Sequence, residues 1–150
     1  PPMSFEKLGD SLGVSASQVH AAAQGAKRSR LIRENFEVRR TALALAIQSV
    51  AIYFPGELGG SCRGIPTSLA SSTIERYVLY REGTQPVWPS ETGDTVGLKL
   101  NPIHRAVPIA VADDPALYRL LALVDALRVG RAREREFAHQ EFQSLLGGHQ

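Results

Sequence analysis

The sequence predicts a mainly α-helical protein of the α+β class, and three observations lead there. Two short segments of helical period flank Gly13, a long apolar segment runs from Thr41 to Phe54, and a capped segment of helical period begins at Asp114. Only residues 75–111 read as β-rich. The chain is therefore expected to divide into a two-helix unit at 1–33, a central core or dimerisation helix at 34–55, a loop and short-strand region at 56–112, and a C-terminal helical region at 113–150.

In the first unit Leu8 and Leu12 lie one helical turn apart, with Gly9 as the small residue where a second helix crosses closely. Gly13 follows the last apolar residue and supplies a left-handed stop without a side-chain clash. Val14 plugs the corner. Ser15 is the N-cap of a second helix, and Gln18 three residues on completes a capping box. Val19, Ala22, Ala23 and Ala26 then form an inner arc of mostly small residues.

The opposite arc carries Ser17, Ala21, Gln24 and Arg28, flanked by Gln18, His20 and Lys27. In a DNA major groove, Gln24 has the geometry to pair with adenine, Arg28 with guanine or a phosphate, and Ala21 to touch a thymine methyl. Ser15, Ser17 and Gln18 stand near the helix start, where backbone amides favour phosphate. With Lys27 and Arg33 these are the candidate DNA-binding residues. Lys27, Arg28, Arg30, Arg33, Arg39 and Arg40 cluster around them, as a phosphate contact or as a solvated face.

Leu8, Gly9, Leu12, Gly13, Val14, Val19 and Ala22 together resemble the helix-turn-helix signature of bacterial transcription regulators, and LGVSASQVHAAAQGAKRSRLI is similar to the MarR-type winged-helix group. The resemblance is limited to about residues 4–32. It implies a DNA-binding regulator that works as a dimer. Two features depart from the family. The helix that precedes the pair in that group is expected either to be missing or to lie outside this sequence, since only Pro1, Pro2 and Met3 come before Ser4. RENFEVRR is short for two strands and has no glycine for a hairpin turn, so any wing is reduced.

A chain of 150 residues can bury a core, and its net charge of +2 permits nucleic-acid binding without demanding it. The lone Cys62 rules out an internal disulfide and any multi-cysteine zinc site, which suits a reducing cytoplasm. No stretch reads as a signal peptide or a membrane span, so a soluble, cytoplasmic protein with no membrane partner is expected.

From Asn35 as N-cap, FEVRRTALALAIQSVAIYF reads as one helix, apolar on nearly every side from Ala42 to Phe54 and hence either the central core helix or half of a dimer interface, with core preferred. Pro55 and Gly56 end it. GELGGSCRGIPTSLASST reads as a loop. An anion site at Gly59, Gly60 and Arg63, or a reactive Cys62 beside Arg63, is the weaker reading there. RYVLY, PVWP, TVGLKL and AVPIAV read as short strands of a small antiparallel or irregular sheet, with prolines keeping the pairings short. Trp88, Tyr77 and Tyr80 belong to the core in preference to a ligand pocket, and His104 is a structural histidine. Asp114 and Pro115 start a helix with the stripe Leu117, Leu120, Leu121, Val124 and Leu127. Gly130 stops or kinks it, and a further helix carries Phe137, Phe142, Leu145 and Leu146. Arg128 is expected to pair with Glu134 or Glu136 across the bend, or to stay solvated. GGHQ reads as a frayed end.

Three function classes follow. A transcription regulator reading double-stranded DNA is preferred, as a homodimer. The alternative is a protein-interaction module, such as an antitoxin-like partner-binding protein, in which the helix-turn-helix is structural. An enzyme is disfavoured, because Ser61, Cys62, His104, Asp113 and Asp114 form no catalytic spacing; neither a metal nor a cofactor is expected.

Overall fold

The structure, a computed structural model, describes residues 3–75 and 78–147. Pro1, Pro2, Tyr77 of the expected RYVLY strand, and Gly148, His149 and Gln150 of the expected frayed end lie outside those residues. The fold is mixed α+β, with helices flanking a small mixed sheet of three strands.

Helices α1 (Phe5–Leu12) and α2 (Ala16–Arg28) form the first unit. Gly13 caps α1 at φ +71°, and its turn abuts Ile109, which lies 2.9 Å from where a Cβ would stand. Gly9 carries no Cβ because one would meet the Val14 carbonyl at 2.6 Å, so the start of α2 folds tightly against α1. The Ser15–Gln18 capping box forms: the Gln18 amide N–H donates to Ser15 Oγ (3.2 Å), and the Ser15 N–H donates to Gln18 Oε1 (2.9 Å).

The sheet consists of β1 (Ser61–Pro66), β2 (Pro86–Pro89) and β3 (Thr95–Lys99). β1 is antiparallel to both neighbours, β2 and β3 are parallel to each other, and the three strands close on themselves. Closure of so few strands forces backbones together. A Cβ on Gly64 would stand 2.0 Å from the Trp88 carbonyl oxygen, and one on Gly97 would stand 2.1 Å from that of Gln85. β1 therefore corrects the reading of 56–73 as loop: the glycines that suggested a loop let the strand close the barrel. Two other short runs are also corrected. Val78–Tyr80 is not strand, and AVPIAV contains the helical turn α5 (Val107–Ala110) instead.

Helices α6 (Pro115–Val129) and α7 (Ala132–Gly147) follow, with Asp114 Oδ1 accepting from the Leu117 N–H as N-cap and Gly130 at the C-cap. α6 is the central core helix, with all residues from Ala122 to Leu127 buried. Its neighbours in the core include Val50, Leu69, Ile74, Ala138 and Phe142, while Trp88, Val107 and Val111 pack together under the sheet.

The expected helix at 34–55 is corrected in three respects. It starts later, is broken, and is not the core. α3 (Arg40–Gln48) and α4 (Val50–Tyr53) are separated at Ser49, and Val50 is their only fully buried residue. Asn35 is not the N-cap because its Oδ1 accepts from the Glu37 N–H in a tight turn. Leu43, Ile47 and Val50 form the inner side, whereas Leu45 is 60% exposed, Ile52 76% and Tyr53 74%. α6 takes the core because α7, the short helical turn at Ser68–Ala70 and α4 pack around it.

α6 is anchored by a buried charge that the sequence reading missed. Asp125 and Arg128 side chains are 2% and 5% exposed and meet at 2.6 Å. Thr67 Oγ1 and Trp88 Nε1 each donate to Asp125 Oδ2 at 2.6 Å. Arg128 also donates to the carbonyls of Phe54 (2.8 Å) and Asn101 (3.1 Å). It is thus paired within α6, and the expected pairing with Glu134 or Glu136 is corrected. Burial pushes the Asp125 carboxyl above the usual carboxylate range, against the opposing hydrogen bonds from Thr67, Arg128 and Trp88.

Candidate nucleic-acid interface

The outer arc of α2 faces outward. Ser17, His20, Ala21 and Arg28 are exposed, and Gln24 is half-buried. Val19 alone in α2 is fully buried. Ala22, Ala23 and Ala26, with Leu8 and Leu12 of α1, look across an apolar groove of about 710 Å³ toward Val107 and Leu117. The inner arc is therefore where the sequence puts it, but it borders a groove and is not closed by packing.

Two candidate residues are already occupied. Gln18 spends its Oε1 on the capping box and lines the apolar groove, so its side chain is engaged at the helix start. The Lys27 side chain is 15% exposed; its Nζ lies 4.1 Å from the centroid of the Phe36 ring and 3.7 Å from Glu34 Oε2. Ser15 is exposed, and its hydroxyl caps the Gln18 N–H and lies 3.1 Å from Ser17 Oγ. Arg33 is exposed, 3.9 Å from Glu37 Oε2, a spacing and exposure at which an ion pair contributes little.

Directly after α2 the chain makes a small hairpin. Ile32 and Val38 form its one bridge, closed by the Arg39 N–H on the Leu31 carbonyl (2.8 Å) and the Arg33 N–H on the Glu37 carbonyl (2.8 Å). The turn has Phe36 at φ +70°, the left-handed position that glycine normally fills in a hairpin of this length. A bulky residue there costs about 1–3 kcal/mol. Its ring contacts offset that cost: Phe36 packs edge-on to Phe5 (5.9 Å), Phe5 packs edge-on to His20 (5.4 Å), and Lys27 covers the other ring contact. The hairpin is thereby fastened to both α1 and α2. Sequence reasoning missed Phe36, since an aromatic residue carries no turn signal.

Between α2 and the hairpin, Lys27, Arg30, Arg33 and Arg39 line a concavity of about 470 Å³ with Glu34. Arg40 turns away, donating to the Leu146 carbonyl at 2.7 Å. The positive patch is thus narrower than the run of six basic residues suggests.

Elsewhere, the structure bears on three further residues of the sequence reading. The Gly59 N–H donates to the Lys99 carbonyl (2.8 Å) and is not open to an anion. His104 Nδ1 accepts from the Ala106 N–H (3.0 Å). Trp88 is in the core. No group of three or more His, Cys, Asp or Glu side chains with metal-binding geometry occurs among the described residues, and no helix among them is long and apolar enough to cross a membrane. Comparison with protein-family models, with curated proteins and with solved structures finds no match to the chain.

Proposed function

We propose that this protein is a DNA-binding transcription regulator that reads an operator with α2, two copies of the chain acting together. The observation that carries the reading is the outward polar arc Ser17, Ala21, Gln24 and Arg28 on a helix capped at its start and braced by a basic hairpin. On this reading Gln24 and Arg28 touch base edges and Ala21 lies against a thymine methyl, while Ser15, Ser17, Arg30 and Arg33 hold phosphates. Gln18 and Lys27 set the pose of the helix and hairpin.

The test is a fluorescence-anisotropy titration of random-sequence duplex DNA at low salt, followed by selection of tight binders from the same pool. Binding that weakens steeply with salt, and a selected motif repeated about one helical turn away, are expected. Absence of any DNA affinity at low salt would overturn the reading.

A further inference from the structure

We infer that the outer face of α3 and α4 pairs with the same face of a second copy of this chain, antiparallel about a two-fold axis. Leu45, Ile52, Tyr53 and Phe54 are 60%, 76%, 74% and 53% exposed. They are not scattered. At 3.6 residues per turn Leu45 stands opposite Leu43 and Ile47 on α3, and Ile52 opposite Val50 on α4 with Tyr53 beside it, while Ile47 and Val50 pack into the core.

This surface suits a second copy for three reasons. Its four large apolar side chains are each more than half exposed, the kind of aromatic and aliphatic surface that forms the buried core of a stable interface. The sequence from Thr41 to Gly56 contains no charged residue, so pairing it buries no ion. Charges of opposite sign do stand at its two ends: Arg39 before α3, which lines the hairpin concavity and donates to the Arg30 carbonyl at 3.2 Å, and Glu57 after α4. An antiparallel two-fold arrangement brings each Arg39 toward the Glu57 of the other copy, whereas a parallel one sets like charges together. The face is also held firmly, because Arg128 grips the Phe54 carbonyl from the buried side.

The inference supplies the partner copy that the proposed function uses, yet it is measured without DNA, so either can fail alone. Sedimentation equilibrium of the full chain at micromolar concentration should give twice the monomer mass. Ile52→Asp should weaken association at least 100-fold with an unchanged circular dichroism spectrum, and Leu45→Lys should do the same should Ile52→Asp fold poorly. Glu57→Arg should weaken association, and Arg39→Glu in the same chain should restore it. A monomeric wild type, or a dimer indifferent to both Ile52→Asp and Leu45→Lys, would overturn the inference and leave the face to another protein. A dimer that the double charge swap fails to restore would overturn the antiparallel arrangement.

Discussion

The ammonium of Lys27 sits 4.1 Å from the centre of the Phe36 ring, joining the last turn of α2 to the left-handed corner of the hairpin. Together with the Phe5 ring contact, it makes a residue with an unfavourable backbone into the brace of the basic surface. Phe36→Ala is expected to destabilise the protein by about 1–2 kcal/mol, through lost ring contacts with Phe5 and Lys27. Lys27→Met keeps the stem and loses the cation, and should cost about 0.5–1 kcal/mol. Urea denaturation of the two variants separates the terms.

Base-edge and phosphate contacts differ in what they discriminate. Arg28→Ala and Gln24→Ala should each cost about 1–3 kcal/mol on a selected sequence and much less on random duplex. Arg33→Ala should weaken both alike and lower the salt slope by about one. Anisotropy titrations at several salt concentrations check this. Equal losses on both kinds of DNA for all three variants would remove the assigned roles.

Asp125 presents a prediction about the core. Asp125→Ala leaves Arg128 buried without its carboxylate, and loss of about 3–5 kcal/mol is expected. Its midpoint in urea, compared with that of the wild type at equal slope, measures the loss.

The same carboxyl has a pH signature. Because burial raises its pKa above the ordinary value of 3.8, the folded chain holds that proton more tightly than the unfolded one. Stability contributed by this group is therefore full below the unfolded pKa and is lost as pH rises through the folded one. Asp125→Asn should flatten that falling limb on the alkaline side of the ordinary carboxylate range. Parallel stability curves for wild type and variant across this range would contradict the assignment.

Gly13 carries a backbone prediction. Alanine there adopts φ +71° and pushes its Cβ against Ile109, so a loss of about 1–3 kcal/mol is expected. Pairing it with Ile109→Ala should recover the steric part and leave the backbone part. Thermal melts of the single and double variants distinguish the two.

Elements marked by chemistry at their ends were legible in the sequence: α1 by Gly13, α2 by Ser15 and Gln18, α6 by Asp114, Pro115 and Gly130. PVWP and TVGLKL were legible as strands from their composition. Choosing the core helix was harder. The stretches Ala42–Phe54 and Leu120–Leu127 are both apolar on most sides, and what separates them is the partner set of Asp125, which lies in Thr67 and Trp88 far along the chain. β1 was hidden because glycine marks a loop in one context and a tight strand closure in another. The outward arc of α2 was readable from periodicity alone. The engagement of Gln18 in the helix cap was readable too, but that of Lys27 in bracing was not, since Phe36 is what recruits it.

The groove beneath α2 has a mechanical consequence. Gly13 leans on Ile109 at one corner while an apolar groove of about 710 Å³ borders the inner face, so little side-chain packing resists a tilt of α1 and α2 about that corner. With α2 about 20 Å long, a tilt of about 10° at that corner carries its far end by about 3 Å. That travel is close to the rise of a single base pair, so on the proposed reading two such units would tolerate target sites one step longer or shorter.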